Sequence, residues 1–124
     1  MSPRLLLVDD EDAIRTIAAI SLERIGGWTV ICASSGQAAI QAAQDDGPVD
    51  AVLMDVMMPG IDGPTTLARM RDGVLPPEVP VVFLTAKVGA AERERLLAQG
   101  AAGVIAKPFD PMTLPEELQL VLGG

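Results

Sequence analysis

Short aliphatic runs alternate along this chain with longer stretches in which apolar residues recur at helical spacing, and five such pairs can be counted. The runs Arg4–Val8, Thr29–Cys32, Ala51–Met54, Val81–Leu84 and Val104–Ala106 are short and continuously apolar, as parallel strands buried on both faces are. Between them, Asp12 is placed to cap a helix whose Ile14, Ile17, Ser21 and Ile25 fall on one face, with Gly26 offering a left-handed stop. Ser35 opens a second helix around Ala38–Ala43, and Pro64 suits the first turn of a third before Thr65–Arg71. Glu92–Gln99 makes a fourth that ends at Gly100. The last helix must fit between Pro111 and Gly124, and Pro115 inside its first turn keeps it short and its end frayed. Alternating strands and helices predict an α/β fold in which a parallel sheet is joined by crossover helices.

The length of 124 residues suits one domain over residues 1–124, without repeat, linker, low-complexity tail or room for an output module. A 49% hydrophobic content supports a packed core, while aromatics at 2% leave almost nothing for stacking on nucleic-acid bases. The formal charge of −8 repels phosphate backbones, so DNA and RNA are not expected partners; a cation or a basic protein is. The opening MSPRLLLVDD is too short in apolar residues for a signal peptide, and no stretch reaches membrane-spanning length. A cytoplasmic protein without membrane contact is expected. Cys32 has no partner for an internal disulfide and reads as a small buried hydrophobe.

Ligands of open parallel sheets sit beyond the carboxyl ends of the strands, so the residues following each run carry the chemistry. The first run ends in Asp9, Asp10 and Glu11, the third in Asp55, the fourth in Thr85 and Ala86, the fifth in Lys107 and Pro108. Carboxylates gathered in one cleft repel each other unless a cation neutralises them. With no histidine in the chain and a single cysteine, oxygen ligation points to a hard divalent ion, Mg²⁺ before zinc or iron. A strand-end carboxylate is also a competent nucleophile toward phosphorus, and Lys107 and Thr85 suit the stabilisation of charge on a transferred phosphoryl group. Each residue alone has a plainer explanation as cap, turn or solvated charge; four strand ends carrying the required groups together do not.

These residues resemble the receiver domains of two-component signalling, over essentially the whole chain. LLLVDDEDAIR is similar to the family's acidic opening, and Asp55-Val-Met-Met-Pro-Gly-Ile-Asp-Gly63 to its phosphoacceptor loop; Thr85-Ala86 and Lys107-Pro108-Phe109 complete the set. The resemblance implies a flavodoxin-like, three-layer α/β/α fold with strand order 2-1-3-4-5 and a cis Lys107-Pro108 bond. It makes Asp55 the phosphoacceptor, with Asp10, Asp55 and the Met57 carbonyl as Mg²⁺ ligands and Asp9 acting through water. It gives Thr85 a switching hydroxyl, Lys107 a bond to Asp55 and then to a phosphoryl oxygen, and the Met57 and Ala86 amides to that group. The partners implied are a histidine kinase or histidine phosphotransfer protein and a separate effector docking on the fourth-helix and fifth-strand face, with the protein a monomer or a phosphorylation-dependent dimer. The product is a signalling switch that catalyses its own phosphotransfer and slow dephosphorylation.

One position departs from the family. The aromatic residue usual three places before the lysine is Val104 here, so output is expected to rest on Thr85 and the loop after the fourth strand, or the domain relays or drains phosphoryl groups. Met57 and Lys87 stand where side chains can alter phosphoryl lifetime. Three other readings fit less well. A Mg²⁺ phosphatase lacks an acid at Met57, a flavin site would face the repelling Asp9-Asp10-Glu11 loop, and a phosphate-blind scaffold has no reason to keep the acids, threonine and lysine together.

Overall fold

The computed structural model describes residues 2–87 and 89–123. Five strands and five helices alternate: β1 (Arg4–Val8), α1 (Asp12–Arg24), β2 (Thr29–Ala33), α2 (Gly36–Asp45), β3 (Ala51–Asp55), α3 (Gly63–Arg71), β4 (Val81–Thr85), α4 (Ala90–Ala98), β5 (Gly103–Ala106) and α5 (Leu114–Val121). All strands are parallel and lie in the order β2-β1-β3-β4-β5, as the resemblance implied. Gly124, the outer limit expected for the last helix, lies outside the described residues; α5 is short, with Pro115 in its first turn.

Inside the continuous apolar runs, a two-residue period divides the core into two layers. Leu5, Leu7, Leu53, Val82, Leu84 and Ile105 face α1 and α5, where Leu22, Leu114 and Leu118 complete one cluster together with Trp28. Leu6, Val8, Val52, Met54, Val81 and Phe83 face the other side, with Leu67 and Met70 of α3 and Leu96 of α4. Each fully buried leucine or phenylalanine contributes about 1.5–3 kcal/mol relative to exposure. Both faces of β1, β3 and β4 are therefore fixed, and a one-residue slip would break both layers.

Four expectations are corrected. Strand β2 lies at the sheet edge, so Thr29 is exposed and Cys32 is an exposed thiol and not a buried hydrophobe. The face of α1 is rotated: Ala18, Ser21 and Leu22 are buried, while Ile17 and Ile25 are 44% and 51% exposed. Small Ala18 allows close approach to the sheet, and Ser21 donates its hydroxyl to the Pro111 carbonyl, pinning α1 beneath the β5–α5 loop. The helix starts one residue earlier than a cap at Asp12 requires; Glu11 is the N-cap and its side chain makes no capping bond. The left-handed glycine after α1 is Gly27, at φ 75°, not Gly26.

The chain from β3 to α3 is set by close packing. The Gly63 amide donates to the Val56 carbonyl at 2.8 Å, and a Cβ on Gly63 would lie 2.6 Å from the Asp55 carbonyl oxygen and 2.8 Å from Phe83. Glycine here lets α3 start directly against the end of β3. Asp62 caps that helix by accepting from the Thr65 amide at 2.9 Å, and this bond holds its carboxyl below the ordinary aspartate range. A lowered carboxyl contributes stability that is full above the unfolded value and lost as pH falls through the folded one. Asp62→Ala is expected to lower the unfolding free energy by about 1 kcal/mol in urea titrations at pH 7, with Asp62→Asn losing less. The gap between wild type and Asp62→Ala should narrow below pH ~3.9, the ordinary aspartate value; a gap independent of pH would contradict the ionised cap.

Candidate functional site

Parallel strands deliver their carboxyl ends to one edge of the sheet, and the chemistry-bearing side chains stand there. Asp9 follows β1, Asp55 ends β3, Thr85 ends β4 and Lys107 follows β5. Their spacing is held by the ladder: the Asp9 amide donates to the Ala33 carbonyl at 3.2 Å, Val56 to Leu84 at 3.0 Å, and Lys107 to Thr85 at 2.8 Å. The Lys107-Pro108 bond is cis. A cleft of about 350 Å³ opens over these ends, with Glu11, Asp55, Met57, Ala86, Lys107 and Pro108 on its walls.

The Lys107 ammonium is the centre of the arrangement. It donates to Asp9 Oδ2 at 3.0 Å, to Asp55 Oδ2 at 3.1 Å and to Glu11 Oε1 at 3.4 Å. Asp9 is fully buried and Asp55 is 5% exposed. Burial opposes the charge on Lys107, but the hydrogen bonds and negative charges of Asp9 and Asp55 outweigh it and hold the ammonium above the ordinary lysine value. The other Asp9 oxygen accepts from the Glu11 amide at 2.9 Å, and Asp55 Oδ1 faces the Met57 amide at 3.4 Å. Burial pushes the Asp55 carboxyl up, helped by the charge of Asp9 and opposed by the bonds from Lys107 and Met57.

Three carboxylates, those of Asp9, Glu11 and Asp55, offer oxygens that all lie within 4.8 Å of one another. Oxygens on opposite sides of an octahedral Mg²⁺ stand about 4.2 Å apart, so a set of this span suits a small hard ion after minor rotation of the side chains. One ammonium against three carboxylates also leaves the group short of positive charge. Asp10 is half-buried next to Asp9 and is not one of these three. Thr85 is buried, and its hydroxyl oxygen accepts from the Lys87 amide at 3.1 Å, leaving its own proton free to be donated elsewhere. Ala86 is exposed at the cleft wall and Met57 is 72% exposed. Val104 is half-buried on β5, opposite Phe83 of β4, and lines a separate neighbouring cleft.

Two residues of the site were given no role by the sequence. Glu11 reaches Lys107 and joins the carboxylate group; three consecutive acids at a strand end were its only signal. Arg15, one turn into α1, donates to the Asp9 carbonyl at 2.8 Å and pairs with Asp12 at 2.6 Å, holding the acidic turn against the helix.

With strand order, strand-end acids and lysine in place, the class is defined. The chain belongs to the response regulator receiver domain family, whose pattern matches residues 5–119. It is a receiver domain of two-component response regulators. It is 34% identical over 122 residues to PhoP of Bacillus subtilis, the alkaline phosphatase synthesis transcriptional regulatory protein, covering 98% of this chain and 49% of that protein. Identity to the response regulator PleD of Caulobacter vibrioides is 37% over 115 residues, covering 92% of this chain and 25% of PleD. The chain thus spans half or less of the length of these relatives. Among solved structures, the chemotaxis response regulator CheY4 of Vibrio cholerae superposes with a TM-score of 0.89 at 30% identity, over 98% of this chain and 99% of that one. Among the described residues no helix is long and apolar enough to cross a membrane.

The raised Asp55 carboxyl sets a stability test. A carboxylate whose folded pKa lies above its unfolded value destabilises the folded state at neutral pH, and the penalty disappears as pH falls through the raised value towards the ordinary one. In EDTA at pH 7, Asp55→Asn is expected to melt higher than wild type, because it removes the penalty of holding a raised carboxyl ionised. The difference should shrink as the pH is lowered towards ~4. Equal melting temperatures at pH 7 would show that Lys107 already compensates Asp55 in full.

Proposed function

We propose that Asp55 is the phosphoacceptor of a two-component phosphorelay and that residues 1–124 act as one receiver unit. The observation that carries this reading is the Lys107 ammonium bound to both Asp55 and buried Asp9 at the mouth of an open cleft. The donor is a phosphohistidine of a histidine kinase or phosphotransfer protein, and the exchange takes place in the cytoplasm. An Asp55 carboxylate oxygen attacks phosphorus in line, the phosphorus–nitrogen bond breaks, and the imidazole leaves with the electron pair and takes up a proton.

Asp10, Asp55 and the Met57 carbonyl would hold Mg²⁺, with Asp9 acting through water; Glu11, one of the three clustered carboxylates, is a further candidate. Bound there, the ion neutralises clustered negative charge and that of the phosphoryl oxygens. Lys107 shifts from the Asp55 oxygen to a phosphoryl oxygen, keeping Asp9 as its fixed partner. The Met57 amide already faces Asp55 and Ala86 lines the same cleft; both amides would donate to the equatorial oxygens. Thr85 turns its free hydroxyl proton to the same group, drawing the loop after β4 inward. With Val104 in place of an aromatic lever, Thr85 and that loop carry the output to a separate effector. Water later attacks the acyl phosphate and restores the carboxylate.

Incubation with a small phosphodonor and Mg²⁺, followed by intact mass, is expected to show one added phosphoryl group in wild type and none in Asp55→Ala. EDTA should abolish the gain, and Lys107→Ala should slow it by about 10²-fold. Because the raised Asp55 carboxyl must be ionised to attack, the rate should fall as pH drops from neutral through that raised value. A phosphoryl group gained equally well by Asp55→Ala would refute the assignment.

A further inference from the structure

An ammonium has three N–H donors, and Lys107 has one for each of its acids: Asp9 at 3.0 Å, Asp55 at 3.1 Å and Glu11 at 3.4 Å. The group is saturated, so an incoming oxygen finds no free N–H. The three acceptors are not equivalent. Asp9 and Asp55 are buried, whereas the Glu11 side chain is 61% exposed, lines the cleft and makes the longest of the three bonds. Its carboxylate therefore covers the ammonium on the side that faces solvent, which is the side from which a ligand must come.

The local fold holds Glu11 in this place by its backbone alone. Its amide donates to Asp9 Oδ1 at 2.9 Å, and its carbonyl accepts from the Arg15 amide at 2.9 Å as the N-cap of α1. A serine, threonine, aspartate or asparagine here would turn its side chain back to an amide of the first turn. Glutamate makes no such bond; its longer side chain reaches instead to a lysine 96 residues away. The helix start thus goes without a side-chain cap, and the side chain is left free to act on Lys107.

We propose that Glu11 is a removable stopper: at rest it occupies the third N–H of Lys107, and it has to swing into water before the ammonium can bind an oxygen of an incoming phosphoryl group. This inference rests on the phosphoacceptor reading above and adds a positioning residue to it. The order of release follows from burial. As the donor approaches, Asp55 is still the nucleophile, and Asp9 would be left as a buried charge without its partner. Glu11 is exposed, so water replaces its bond at small cost, as for other exposed ion pairs. Swinging out also takes its negative charge away from the anionic donor. Glu11 thereby sets how readily the site admits an anion, while Asp55 and Lys107 carry the transfer.

The test compares the full chain with Glu11→Ser, which supplies a capping hydroxyl, and Glu11→Gln, whose neutral oxygen still accepts from Lys107 but more weakly. Glu11→Ser should melt no lower than wild type; if it does, Glu11→Gln carries the same comparison. At saturating Mg²⁺, calorimetric affinity for beryllofluoride should rise about threefold in Glu11→Ser and by less in Glu11→Gln. The gain should persist at about 0.5 M salt, where general repulsion between exposed charges is screened. Mg²⁺ affinity without beryllofluoride should not rise, and phosphoryl gain from a small donor, followed by intact mass, should speed up by a similar factor. Unchanged or weaker beryllofluoride binding in both variants would overturn the stopper, and weaker Mg²⁺ binding alongside it would make Glu11 a metal ligand only. A gain that disappears in salt would reduce Glu11 to one more surface charge and overturn it as well. If wild type and variants gain a phosphoryl group at equal rates, the stopper alone fails; if wild type gains none, the phosphoacceptor reading fails and the stopper with it.

Discussion

Everything at the functional edge of this receiver domain is arranged around one ammonium group. Lys107 reaches Asp9, Glu11 and Asp55 at once, and among the described residues no second lysine or arginine pairs with any of these three carboxylates. Without it, a fully buried Asp9 and a nearly buried Asp55 would face each other as uncompensated charges. With it, the three carboxylates are held close together, yet remain two positive charges short of balance. That imbalance suits the site to a cation, since clustered carboxylates of this kind could hold a divalent ion.

The sheet makes this possible through its rigidity. Each strand is anchored by side chains on both faces, so the positions of residues 9, 55, 85 and 107 follow from where the strands end. Close packing at Gly63 and the bond between Ser21 and the Pro111 carbonyl extend that rigidity into the helices on either side. Loops above this frame carry the exposed residues of the edge, Met57, Ala86 and Lys87, the last held through its amide to Thr85. Two-state switches commonly set a loop of this kind on a rigid sheet.

The strands and most of their ends were legible because short apolar runs bounded by charges, glycine, proline or hydroxyl residues have few alternatives. Asp55, Thr85 and Lys107 emerged from the same logic, since topology alone carries strand ends to one edge. What was not legible depended on neighbours remote in sequence. Cys32 looked like core because nothing local says that its strand is at the edge, and only strand order does. Three isoleucines outweighed Ala18 in the reading of α1, although it is the small side chain that lets the helix approach the sheet. Glu11 and Arg15 escaped assignment because their roles arise from the fold of one acidic turn around Asp9, and spacing in sequence does not encode which acid turns towards a lysine 96 residues away.

Trp28, buried at 8% exposure in the layer beneath α1, precedes β2 and so lies at the end of the sheet opposite the acidic edge. The chain has no tyrosine and no other tryptophan. Its ultraviolet emission therefore comes from a single indole embedded in the core and remote from the clustered carboxylates, so intrinsic fluorescence follows unfolding of that layer. Occupancy of the acidic edge has to be followed by a probe introduced there.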